Sequence, residues 1–123
     1  MVELAVVTPL LLTMLFGIME FGRVFMVSET LNTATREACR IGIVQGSTSN
    51  DIQARFDQST AALGDAVSFS NVTVAEDVPE GADYTVVTVT VQIPYNNVSL
   101  FGNYLGLDTT TLGASCSMRK EGT

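Results

Sequence analysis

Two cysteines, Cys39 and Cys116, carry the most reactive side chains in this 123-residue chain. Such a pair offers either a disulfide or a thiolate nucleophile. The chain contains no His, so no Cys-His or Ser-His nucleophile can be assembled. An even cysteine count in a small, membrane-directed chain favours one bridge between Cys39 and Cys116. The plain alternative is two unrelated buried thiols, as in cytosolic proteins.

Other polar groups admit a similar pair of readings. Glu76, Asp77, Glu80 and Asp83 could offer oxygens to Ca²⁺, but they match no EF-hand spacing and read better as a solvated acidic turn. Asn71-Val72-Thr73 and Asn97-Val98-Ser99 are glycosylation sequons, a pattern short enough to arise by chance. No Gly-rich phosphate loop, zinc spacing or haem-attachment motif is present. The expectation is a chain without catalytic, cofactor-binding or metal-binding residues, and not an enzyme.

Glu3 stands apart. It precedes a nearly uncharged run, Leu4 to Met19. A carboxylate near a bilayer centre costs about 2.5–3.5 kcal/mol, so it usually has a function. Close to a mature amino terminus, it could pair with the α-ammonium group of an adjacent subunit. In an apolar core that pairing would be directional and would fix an axial stagger. The plain alternative is a solvated carboxylate at the headgroup boundary.

These residues need elements to position them. At ~1.5 Å per residue the apolar run makes a helix of about 24 Å, marginal but adequate for a membrane, with Glu20 and Arg23 spaced to pair on one face. Pro9 lacks an N–H and should loosen the helix locally. Gly17 and Gly22 let neighbouring helices approach closely. From Val24 the pattern becomes amphipathic: Val24, Val27, Leu31, Ala34, Ala38 and Ile41 form one stripe. The stripe suits either the chain's own sheet or packing between helices of different copies. Nothing basic precedes Leu4, whereas Arg23, Arg36 and Arg40 follow it. By the positive-inside rule that would leave the remainder in the cytoplasm. That conflicts with the outside location expected of a sequon-bearing, cysteine-paired domain; a basic leader, removed before Met1, resolves the conflict and makes Met1 the first mature residue.

The expected organisation is residues 1–46 as the membrane or filament-core helix and 47–123 as an α+β head. After the turn at 46–50, Ser49 or Asn50 should cap a short helix from Asp51 to about Leu63, ended by Gly64. Strands follow. Val67 and Phe69 show one parity, Val72 and Val74 the other, so a bulge is expected near Ser70-Asn71. An acidic turn covers Glu76 to Asp83. Val87, Val89, Val91, Ile93 and Tyr95 share a face, as do Leu112, Ala114, Cys116 and Met118. Three or four antiparallel strands should carry the long helix. Cys39 and Cys116 could then meet, closing a loop of about 77 residues worth up to ~4.5 kcal/mol.

The balance is acidic, net −7. Between Asp51 and Asp108 eight acids face one base, Arg55. Such a surface repels phosphate backbones and argues against a nucleic-acid partner.

Four stretches resemble a known family: MVELAVVTPLLL at residues 1–12, FGIMEFGR at 16–23, ATREACR at 34–40, and SCSMRKE at 115–121. They look like the TadE-like pilin relatives of tight-adherence (Tad) pilus systems. The N-terminal likeness covers about 40 residues, and the segment between is not diagnostic. Two departures are visible. Glu3 is third, where many pilins have their glutamate fifth, and Cys39 replaces a small residue. The resemblance implies a pilin-like fold and a precursor cut by a prepilin peptidase. It also implies an inner-membrane intermediate handled by pilus assembly machinery, and a homo-oligomeric extracellular type IV-like filament, with Met1, Glu3 and Pro9 serving assembly. The rival is a single-span anchored binding or minor-pilin module that never polymerises.

Overall fold

The computed structural model describes residues 1–67, 72–102, 106–107 and 109–120, with side chains left aside at 65 and 66. One helix dominates it. Helix α1 runs from Val2 to Gly42, 41 residues, about 61 Å at 1.5 Å per residue. Pro9 lies inside it without ending it; what it removes is the N–H that would reach the Ala5 carbonyl. The hydroxyls of Thr8 and Thr13 bond back to Leu4 and Pro9 carbonyls at 2.7 and 2.8 Å. Both therefore spend their donor inside the helix, the form an apolar surrounding requires.

The expected stripe is the one that packs. Val27, Leu31, Ala34 and Ala38 are fully buried, flanked by partly buried Val24 and Ile41. Thr35, Cys39 and Gly42 widen it. At Gly42 the close approach is structural: a Cβ there would stand 3.0 Å from Val87 and 3.1 Å from Ile52.

Helix α2, Ser49–Thr60, packs on α1 through Ile52 and Phe56. Its cap is Thr48, one residue before the expected Ser49 and two before Asn50. The Asp51 carboxylate accepts both the Thr48 amide and hydroxyl at 2.8 Å. That reciprocal arrangement needs the acid three residues after the cap, which selects Thr48. A 3₁₀ segment, Ala61–Ala66, takes over before the expected end at Leu63, and Gly64 breaks the spiral at φ 61°.

Strands β1 (Val72–Asp77), β2 (Val86–Pro94) and β3 (Thr111–Arg119) form one antiparallel sheet in that order. Val91 faces Val72 on one side and Ala114 on the other. Val87, Val89, Val91 and Ile93 are wholly buried under α1. On the outer face Thr88 and Thr90 bond Ser117 and Ser115 at 2.8 and 3.2 Å. The fold is therefore α+β, a long helix with its second half laid on a three-stranded sheet and one short extra helix. Strand β1 reaches Asp77, so Glu76 and Asp77 belong to a strand and the turn proper holds Pro79 and Gly81. Val67 is extended and buried; the bulge expected at Ser70-Asn71 and the parity of Phe69 lie outside the described residues.

Candidate functional site

The first half of α1 is left almost uncovered by the rest of the chain. An 18-residue window of it has mean hydropathy 2.1 and no buried residue. Leu4, Leu10, Leu11, Met14 and Ile18 all stand exposed. Beyond that window Phe21, Phe25 and Met26 stay exposed on α1 while Val27 and Leu31 bury themselves in the head. The apolar outer surface thus climbs past the rod onto the docked half. A Cβ at Gly17 or Gly22 would meet nothing within 4 Å, so both glycines open outward. Met1 and Glu3 are exposed at the far tip, Glu3 in the first turn, where a carboxylate suits the helix N-terminus.

The rod meets the head at Glu20. Its side chain is 1% exposed and accepts three hydrogen bonds from the segment after β2. Tyr95 donates its hydroxyl at 2.7 Å, Leu100 its backbone N–H at 3.1 Å, and Ser99 its hydroxyl. The expected Glu20–Arg23 pair does not form, because these donors occupy the carboxylate; Arg23 Nε is buried without a hydrogen-bond partner. Tyr95 sits in a short 3₁₀ turn, Tyr95–Asn97, that ends β2. Burial, and the carboxylate it serves, push the Tyr95 phenol above its usual range, so it remains a donor at neutral pH. This latch was hidden from spacing arguments. The only signal was an acid closing an apolar run with Tyr and Ser much later in the chain.

Cys39 and Cys116 come together beneath the sheet. Cys39 Sγ lies 3.4 Å from the Cys116 carbonyl oxygen, with Cys39 buried and Cys116 half-buried. Both are free thiols in this structure. Burial, then the adjacent Cys116 thiol, push the Cys39 thiol up to about 12.

The remaining candidates are separate. Glu76 pairs with Lys120 at 3.1 Å. Among the described residues no group of three or more His, Cys, Asp or Glu is placed to hold a metal ion. Asn97 is exposed in its turn, while Asn71 lies outside the described residues, as does Glu121 of the closing stretch.

The rod, Glu20 and the buried stripe as far as Cys39 fall within one matched segment. Residues 1–40 match the TadE-like protein family. The match stops just after Cys39 and leaves the sheet uncovered. No curated protein and no solved structure gives a match.

Proposed function

We propose that this chain is a structural subunit of a type IV-like, Tad-family pilus. The observation that carries the reading is a coincidence of boundaries. The family match covers residues 1–40, and those residues contain both the unburied apolar rod and the half-helix that docks the head. A helix hydrophobic on every side needs lipid or sibling helices around it. This one has apolar side chains reaching up to Met26 and two outward glycines suited to close helix contact.

In this reading residues 1–46 form the membrane and then filament-core element, and 47–123 the solvent-facing head. The second half of α1 serves both. The subunit waits in the inner membrane after prepilin-peptidase processing, is engaged by assembly machinery, and ends in an extracellular homopolymer. Glu3 pairs with a cationic group of an adjacent copy and sets the stagger. Pro9 gives the rod a soft point. The role is mechanical rather than enzymatic. Cys39 and Cys116 bridge in an oxidising compartment, pinning the helix to β3.

The competing reading is a single-span anchored or minor-pilin module. Both need the rod; only the filament needs Glu3. Glu3→Ala, expressed with the assembly machinery, should abolish surface fibres while membrane levels of the chain stay unchanged. Fibres of normal number and length from Glu3→Ala would favour the anchored module.

A further inference from the structure

Loops in water turn polar groups outward. In the segment following β2, Asn96 and Asn97 obey that rule, but the groups around them are built the other way round. Its Tyr95 and Ser99 hydroxyls and its Leu100 amide point inward to one carboxylate. Its Leu100, Phe101 and Leu107 side chains point outward and are 51, 44 and 40% exposed. These apolar groups are not scattered. The Phe101 ring lies against Phe16 of the rod, centroids 5.1 Å apart and planes inclined by 49°. Leu107 borders a cleft of about 140 Å³ with Phe21, Val24, Tyr95 and Leu112. Among the described residues, the exposed surface of the rod therefore meets apolar side chains of the head at the height of Phe16 to Phe21.

Length argues for the same place. Residues 4–19 span about 24 Å, whereas a hydrocarbon core is about 30 Å thick. Measured from Leu4, a core of about 30 Å ends near Arg23, so the turn of α1 containing Glu20 lies at the edge of the hydrocarbon, just beneath the boundary layer. A bare carboxylate is costly there, and one supplied with three donors and covered by apolar side chains is not. Aromatic and aliphatic side chains around a helix exit are what an interfacial layer accepts.

We propose that Leu100, Phe101 and Leu107, together with Phe16 and Phe21, form a collar that seats the head in the interfacial layer of a lipid bilayer and seals Glu20 from it. The occupant of this surface is lipid. The proposal rests on reading residues 4–19 as a membrane segment.

The chain contains no Trp, so each substitution introduces a sole reporter. Leu11→Trp, Phe101→Trp and Thr88→Trp are compared in the full chain, reconstituted into phosphatidylcholine–phosphatidylglycerol vesicles with brominated acyl chains. Bromine is placed near the headgroup end or near the chain terminus. Leu11→Trp should be quenched by deep bromine. Phe101→Trp should be quenched several-fold more by shallow than by deep bromine, and far more than Thr88→Trp on the outer sheet face. Quenched Leu11→Trp with Phe101→Trp no different from Thr88→Trp would overturn the collar and leave the membrane segment standing. Unquenched Leu11→Trp would remove the membrane segment itself, and the collar with it. Phe101→Trp quenching must also be the same at high and low protein-to-lipid ratio. If it is weak in crowded vesicles and appears only on dilution, a second copy covers the surface and lipid is the wrong occupant.

Discussion

Replacing Tyr95 with Phe removes one hydroxyl and little volume, leaving Glu20 short of a donor in a dry site. Hydrogen bonds to charged groups contribute about 1.5–3 kcal/mol. Tyr95→Phe should therefore lower the stability of the head by an amount in that range, read from thermal or urea unfolding. A loss within error would mean that the latch is solvated rather than closed. At Cys39 the chemistry is equally direct. A thiol pushed to about 12 by burial and by Cys116 stays protonated at neutral pH and is a poor nucleophile. In reduced, folded protein, alkylation should reach Cys116 first, with Cys39 reacting only on unfolding. In protein recovered from an oxidising compartment, intact mass should be lower by two hydrogens. Fast labelling of Cys39 in the native fold would contradict the packing described here.

The elements depend on contacts with almost no slack. Gly42→Ala would set a methyl group 3.0 Å from Val87 and 3.1 Å from Ile52, tight enough that both side chains must shift. Overpacking of this kind typically costs about 1–3 kcal/mol, despite the better helix propensity of Ala. Helix α2 carries a pH dependence. The Thr48 amide and hydroxyl hold the Asp51 carboxyl below its usual range. Its folded pKa is lowered, so the stabilisation is present above the unfolded value near 4 and is lost as pH falls through the folded one. Circular dichroism should show α2 loosening below about pH 4, and Asp51→Asn should blunt that response. Much of this layer was legible in the chain. The stripe from Val24 to Ile41 and the alternation from Val87 to Ile93 each place one apolar face, and the structure buries both. The end of α2 was harder. Ser49, Asn50 and Thr48 are all competent caps, and only the carboxylate at Asp51 decides among them. The Glu20 latch was illegible for a different reason. A pair separated by 75 residues leaves no periodic trace, and the nearer Arg23 looked like the natural partner.

At the scale of the whole molecule the chain divides by what surrounds it. From Val27 onward its core is satisfied by its own sheet and second helix. Before Met19 no residue is buried, and the Phe101 ring against Phe16 is a contact the head makes there. Removing residues 1–19 should therefore turn a detergent-dependent protein into a monomer soluble without detergent, as judged by size-exclusion chromatography, with its far-ultraviolet spectrum still α+β. The rod is apolar on every side, and in the proposed role it is surrounded first by lipid and afterwards by other copies. The most direct measurement is to shear the surface of cells that carry this chain with its assembly machinery, image the material, and identify its subunit by mass spectrometry. Thin fibres built of this chain, with their apolar helices inside, are the expected result. Recovery of the chain only as detergent-extracted monomers, with no fibre containing it, would contradict the proposed role.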